Sequence, residues 1–420
     1  MRNRGRKANM VSNQTKSKRF FFAICIIGAF AILSSTMSKN PVLNPFAESL
    51  GTPEAFMGFV AAASTLPGVL ISLPAGSLSD IFGRRKVLLA SSMVFASAPF
   101  FYLLVNSWWQ LALVRFYHGF ATAIFVPVAR AAIAEYFPSK RGEKMSIFTS
   151  ATIVGRAIAP FLGGLILSIT LWNFHALYLS VGVFGVTTFL LTLLILRENE
   201  KALKKPSVKE KYPRKSEKIS LLQGWRIVLG NLGILVASSI EAVARYVYGA
   251  LEFFFTGYLK NIAQLDASLI GTIMGMQLVL IPLASPFVGR LSDRIGRRIP
   301  ILLGLGLSSL SIFAIPYTTQ FLPLLLISVA YGLGFVMVIS TTPALVGDLA
   351  GKGVYGTSMG LLATIMDIGQ MLGPIVTGLV LASFGYGGSF ISLGGILIAF
   401  GIIFTIYQKI SSLKKTQKGD

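Results

Sequence analysis

The sequence has little charge, one cysteine and very few histidines. Of its 420 residues only 13% are charged, Cys25 is the one thiol, and His118 and His175 are the only imidazoles. A single cysteine excludes an intrachain disulfide and a cysteine-built metal cluster. With two histidines and no nucleophile set around them, no Ser-His-Asp or Cys-His constellation is recognisable, so the chain is not read as an enzyme. A phosphate-cradling Gly-rich loop ending in Lys-Ser or Lys-Thr is also missing, and with it the direct use of a nucleotide. No cofactor and no metal are expected.

What fills the sequence instead is apolar. At 54% hydrophobic residues, with so little charge, the chain falls in the membrane class. A helix that crosses the hydrocarbon core needs about 20 mostly apolar residues. By that measure twelve spans are predicted, at 20–38, 54–79, 86–105, 108–134, 143–170, 175–196, 227–258, 267–289, 299–319, 321–347, 353–382 and 387–408. The predicted organisation is a basic tail at 1–19, a six-helix bundle at 20–196, a charged linker at 197–226, a second six-helix bundle at 227–408 and a tail at 409–420. The start has the basic and apolar regions of a signal peptide. Ser34-Ser35-Thr36-Met37-Ser38-Lys39 lacks a small-x-small cleavage site, however, and more spans follow, so the segment is read as the first span.

The formal net charge of +22 raises the question of nucleic-acid binding, which the placement of the charge answers. Of 38 Lys and Arg, 32 fall in the tails, the linker and alternate short loops, Lys39 and Lys260 fall in the other set of loops, and Arg115, Arg130, Arg156 and Arg245 lie inside spans. That is the positive-inside distribution, which predicts cytoplasmic N- and C-termini, a multi-pass protein of the plasma (inner) membrane, and no nucleic-acid partner. Membrane lipids are the expected partner of the basic linker.

The chain writes one polar loop twice. Gly76-Ser77-Leu78-Ser79-Asp80-Ile81-Phe82-Gly83-Arg84-Arg85-Lys86 recurs as Gly289-Arg290-Leu291-Ser292-Asp293-Arg294-Ile295-Gly296-Arg297-Arg298, 213 residues later. Two such copies indicate an internal duplication. Gly76, Gly83, Gly289 and Gly296 allow tight turns and close helix contact. Glu135 and Asp348 each follow their loop aspartate by 55 residues, so the duplication carries a second acid with it. Asp80, Arg84 and Glu135, and likewise Asp293, Arg297 and Asp348, are therefore expected to form networks that latch the bundles together and release on rearrangement.

An ionisable group at membrane depth costs at least about 2.5 kcal/mol, so it is usually paired or lines a cavity. Arg115 and His118 lie within a turn of each other in span 4, and Arg156 intrudes into span 5. Arg156 can pair with Asp367 or Glu241, or receive an anionic solute, and the residues do not choose. In span 7, Glu241, Arg245, Tyr248 and Glu252 fall in a stripe about 60° wide. Glu241 and Arg245 are an i,i+4 pair, and Glu241 is expected near the bilayer middle. Asp367 in span 11 has no obvious local partner. Span 1 has no carboxylate, so if a carboxyl at this depth titrates, Glu241 and Asp367 are the candidates. Phe253, Phe254, Phe255 and Tyr258 suit either a gate or plain packing, and packing is the preferred reading.

The paired loops resemble motif A of the major facilitator superfamily, and the arrangement of six spans, a charged loop and six spans is similar to that superfamily over essentially the whole chain. Leu111-Ala112-Leu113-Val114-Arg115-Phe116-Tyr117-His118-Gly119 resembles the span-4 motif of its drug:proton antiporter families, whose arginine is implicated in proton transfer; on this chain that is Arg115. Gly155-Arg156-Ala157-Ile158-Ala159-Pro160-Phe161-Leu162-Gly163-Gly164 is similar to their span-5 antiporter motif, with Ala159 where a glycine is usual and Arg156 inserted. Gly369-Gln370-Met371-Leu372-Gly373-Pro374 echoes it in span 11. The span-5 glycines and Pro160 make a thin, slightly kinked helix; packed on the other half, it would stabilise one face of an alternating-access cycle. The resemblance implies an all-α fold of two pseudo-symmetric six-helix bundles, working as a monomer. It also implies proton-coupled efflux of small amphiphilic compounds; the alternatives are uptake or exchange of an organic anion or other small metabolite, motivated by Arg115, Arg156 and Arg245 at depth, and a transport-inactive membrane sensor or scaffold.

Overall fold

The structure is a computed structural model that describes residues 2–198, 221–351 and 354–417; the predicted linker therefore lies largely outside the described residues. The helices in chain order are α1 (Arg2–Met37), α2 (Leu43–Ser49), α3 (Glu54–Ala62), α4 (Leu66–Phe82), α5 (Arg84–Tyr102), α6 (Trp108–Tyr136), α7 (Arg141–Ile169) and α8 (Phe174–Glu198). They continue as α9 (Leu221–Leu229), α10 (Leu232–Asn261), α11 (Ala267–Ile295), α12 (Arg298–Ala314), α13 (Phe321–Leu349) and α14 (Tyr355–Gln417). Among the described residues ten helical stretches are long and apolar enough to cross a membrane. Gly385, at φ 64°, divides α14 into two arms that are spans 11 and 12. With α5, whose first turn holds Arg84, Arg85 and Lys86, the spans number twelve.

The duplication is visible in the helix bounds. Both α6 and α13 are 29 residues long, and α13 begins 213 residues after α6. In the same register α11 matches the stretch from Glu54 to Phe82, yet α11 is continuous while that stretch is broken into α3 and α4. The predicted span 2 is thus interrupted by a turn at 63–65, where the Thr65 amide bonds the Ala62 carbonyl at 2.8 Å. Pro67 has no N–H to offer the Ala63 carbonyl and is followed by Gly68, whereas the matching residues of α11 are Leu280 and Ile281. α11 tolerates Pro282 and Pro286 without breaking, so it is the proline with its glycine neighbour that marks the difference.

The predicted start of span 7 also shifts. Asn231 caps α10, its Oδ1 accepting from the Gly233 amide at 3.0 Å and the Ile234 amide at 3.2 Å. An asparagine cap satisfies amides that a helix start leaves unbonded, and so α10 begins five residues after the predicted 227.

The chain divides into two compact units, Met1–Val42 with Leu66–Lys211, and Leu43–Thr65 with Tyr212–Asp420. The turn that interrupts span 2 is also where the chain passes from the second unit to the first. Glycines let helices of one unit meet at backbone distance. A Cβ at Gly155 would collide with the Ala29 carbonyl of α1, and one at Gly163 would lie 3.0 Å from the Asn40 carbonyl. In unit 2 the first arm of α14 meets α10 in the same way, Gly369 against the Ala242 carbonyl and Gly373 against the Tyr246 carbonyl. α3 meets that arm too, Gly58 against the Pro374 carbonyl.

Candidate functional site

At the basic ends of the spans, each unit closes one arginine-centred network. In unit 1 Arg84 Nη2 donates to Glu135 Oε1 at 2.7 Å, its Nε lies 3.3 and 3.4 Å from the two carboxylate oxygens, and its Nη1 donates to Ser79 Oγ. In unit 2 Arg297 Nε donates to Asp348 Oδ2 at 3.0 Å, and Nη1 donates to Ser292 Oγ at 2.8 Å and to Asp293 Oδ1. The two carboxylates hold the Arg297 guanidinium above its ordinary pKa, the bond to Asp348 contributing most. Gly83 (φ 89°) and Gly296 (φ 87°) turn the chain into α5 and α12 in the left-handed region that favours glycine, which aims each arginine back along the preceding helix. Gly76 sits within α4 and Gly289 within α11; the side chain of Asp80 lies outside the described ones.

Each network joins helices of its own unit. All the named partners belong to one unit, tying α4 and α5 to α6, and α11 and α12 to α13. Ser79 and Ser292 are members that charge pairing alone does not select; their recurrence inside both loops was the available signal. The small residues of the span-5 motif make close approaches within their own unit. Gly155, Ala159, Pro160, Gly163 and Gly164 are buried, and the close approaches are to α1 at Gly155 and to Asn40 and Pro41, just after α1, at Gly163, all in the same unit. Arg156 points from the other side of α7 and is exposed.

The middle of unit 1 holds a basic cluster. Arg115 is 1% exposed, and its guanidinium and the Ser38 hydroxyl both reach the Tyr102 hydroxyl. His118 Nδ1 lies 3.3 Å from the same hydroxyl, while its buried Nε2 meets no hydrogen-bond partner among the described residues. The Tyr102 ring stacks on Tyr178 at 4.2 Å, and Tyr178 bonds the Ser38 carbonyl at 3.4 Å. Tyr102 is thus the hub that joins Arg115 to His118, a residue that sequence reasoning missed because a tyrosine in an apolar run carries no signal.

The middle of unit 2 is acidic and aromatic. Glu241 is 1% exposed; its Oε1 accepts from Arg245 Nε at 3.2 Å, and its Oε2 is buried without a partner among the described residues. One turn on, Tyr248 donates to Glu252 at 3.4 Å. Tyr248 stacks on Phe335 at 4.8 Å, Phe335 stacks on Tyr331 at 6.1 Å, and the Arg245 guanidinium lies over Phe335 at 5.4 Å. The Tyr331 hydroxyl is another buried group with no partner among the described residues. Half-buried Asp367 on α14 lies in the field of Arg245. The stripe on α10 thus carries the pairs Arg245–Glu241 and Tyr248–Glu252, beside residues of α13 and α14. Glu241 stands about 14 Å from the start of a helix about 45 Å long, with Arg245 nearer its middle. Phe253, Phe254, Phe255 and Tyr258 are buried, with Tyr258 bonding the Ile315 and Thr318 carbonyls, which is the packing reading.

Comparison with known proteins follows the same lines. The family model described as Major Facilitator Superfamily matches residues 24–257 and 237–419. The Multidrug resistance protein MdtG of Klebsiella pneumoniae is 25% identical over 402 residues, covering 93% of this chain and 94% of its own. The Multi-drug resistance efflux pump PmrA homolog of Lactococcus lactis is 27% identical over 383 residues, covering 87% and 89%. Among solved structures, a bacterial homolog of the human lysosomal transporter Spinster, inward-facing and unoccupied, superposes with a TM-score of 0.76 at 17% identity, over 93% of this chain and 95% of that one. The nucleoside transporter NupG gives 0.72 at 15% identity, over 92% and 98%. The family match covers nearly the whole chain and falls on both copies of the duplicated loop, so the chain belongs to the Major Facilitator Superfamily.

Proposed function

We propose that this transporter exports small amphiphilic compounds in exchange for protons, working as a monomer in the plasma membrane of the cell. The observation that carries the reading is Glu241: a carboxylate buried in unit 2, with one oxygen on Arg245, the other unpartnered among the described residues, and an aromatic stack beside it. A buried acid can hold either a proton or the positive end of a solute, and exclusive occupancy by one or the other is what exchange requires. The stack of Tyr248, Phe335 and Tyr331 offers the flat apolar surface on which an aromatic cation rests. When Glu241 takes a proton, Arg245 loses its partner and turns to Asp367, which couples the two acids through one guanidinium. The names carried by the bacterial relatives agree with efflux.

A second reading, uptake or exchange of an organic anion, is favoured by Arg115, fully buried on the Tyr102 hydroxyl. Transport by the purified protein in proteoliposomes, with an imposed pH gradient and a panel of cations, neutral lipophiles and anions, separates the two. Proton-driven movement of cations, abolished by Glu241→Gln, is the expected result. Preference for anions replaces the first reading with the second, and no flux of any solute would point to a sensor or scaffold.

A further inference from the structure

The basic ends of α1 and α7 in unit 1 border a groove of about 560 Å³, walled by Phe21, Phe22, Ile26 and Phe137, with Arg19 and Lys144 at its rim. Phe21 packs edge-on to Phe137 at 5.5 Å and carries the Lys144 ammonium 4.5 Å over its face. That contact holds the lysine at the mouth of the groove. Glu143 takes part of the charge, lying 2.9 Å from Lys144 and 3.6 Å from Lys140, so Arg19, Lys140 and Lys144 outweigh one acid. Phe22 is 70% exposed and Ile26 37% exposed, so unit 1 leaves this apolar wall open. From Arg19 to Ile26 the wall runs about 10 Å along α1.

A groove that is cationic at its mouth and apolar along its length fits an amphiphile with an anionic head. In a bilayer, at the level where a span ends in basic residues, that amphiphile is an anionic phospholipid. We propose that the α1–α7 groove is a binding site for an anionic phospholipid, its phosphate between Arg19 and Lys144 and the upper part of one acyl chain along Phe22, Ala23 and Ile26. The site is separate from the Glu241 cluster and does not depend on which solute is carried.

The test is native mass spectrometry of the full-length protein in mild detergent, titrated with phosphatidylglycerol, phosphatidylcholine and glycerol 3-phosphate. Wild type is expected to retain phosphatidylglycerol in preference to phosphatidylcholine. Arg19→Ala with Lys144→Ala should weaken phosphatidylglycerol about tenfold, less than two full charges would give because Glu143 already shares Lys144. Arg19→Lys with Lys144→Arg should keep the preference, which shows that a loss in the alanine variant is one of charge and not of folding. Ile26→Trp fills the groove and should weaken both phospholipids. Equal retention of the two lipids by wild type, unchanged phosphatidylglycerol binding in the alanine variant, or displacement by glycerol 3-phosphate at matched concentration would each overturn the proposal.

Discussion

The buried polar cluster of unit 1 consists of bases and hydroxyls, Arg115, His118, Tyr102 and Tyr178, and its described acids Glu135 and Glu143 are exposed near helix ends. Unit 2 instead holds Glu241, Arg245 and Glu252 beside three stacked rings, with Asp367 in the field of Arg245. In the duplication register His118 corresponds to Tyr331 and Arg115 to Ser328, while Glu241 corresponds to Gly28. The arginine-centred networks have not diverged in this way: Ser79 with Ser292, Arg84 with Arg297 and Glu135 with Asp348 keep both register and bonding. One set of residues has been kept through the duplication and the other has diverged.

The largest effect that would break this comparison is expected at the Glu241–Arg245 pair. Removing one member of a buried pair strands the other, at a cost of about 3 kcal/mol. Glu241→Gln and Arg245→Gln should each lower thermal stability, and the double variant should recover most of it; transport should be absent in all three. A double variant that still transports would assign the coupling to unit 1 and to Arg115. Next in size are the networks at the basic ends. Arg297→Ala should slow transport about tenfold, while its partners, being exposed, are worth about 1 kcal/mol or less each in stability. Solute affinity measured at equilibrium should not change. Arg84→Ala should slow transport to a similar extent, because the two copies keep both register and bonding. A loss confined to Arg297→Ala would mean that the network of unit 2 alone governs cycling.

How far all this was legible depends on what kind of signal each feature leaves. The spans were legible because hydrophobic length is local, and the Arg–acid networks because the loop is written twice. The break in span 2 was not, since Pro67 has the same residue type as Pro282 and Pro286 and only the structure separates their outcomes. The transfer of 43–65 to the second unit is a matter of tertiary packing, through contacts such as Gly58 on Pro374, and no periodicity encodes it. Charged site residues stood out against an apolar background. Tyr102, Tyr331 and Phe335 did not, because an aromatic in a membrane span looks like any other.

A smaller effect distinguishes the two uncommitted polar groups that share one register, His118 Nε2 and the Tyr331 hydroxyl. Deleting a buried donor that has no partner does not leave its neighbours unsatisfied, so Tyr331→Phe should keep full stability. If the solute uses that hydroxyl, its apparent affinity should fall about fivefold, the worth of a single hydrogen bond of about 1 kcal/mol. His118→Phe should change affinity less, because His118 already engages Tyr102. The reverse order would move the solute's polar contact to unit 1.

The smallest expected effect lies at the opposite ends of the spans, where unit 2 takes in the short helices α2 and α3. There Glu48 accepts from Asn261 Nδ2 at 2.7 Å and lies 3.8 Å from Lys260, yet burial outweighs both partners and raises its pKa above the ordinary carboxylate value. A carboxyl raised in the docked state takes its proton there first, so docking of this segment strengthens as pH falls through the raised value. It weakens as pH rises, and below the ordinary value the gain levels off. Amide hydrogen exchange of α3, corrected for its intrinsic pH dependence, should therefore slow on acidification in wild type and lose that dependence in Glu48→Gln. In the duplication register Glu48 corresponds to Asn261 and Ala47 to Lys260, so the carboxyl has no counterpart in the other copy. The response should accordingly be confined to α2, α3 and the end of α10. Faster exchange at low pH would show that the Lys260 ion pair, and not burial, governs the docking of this segment.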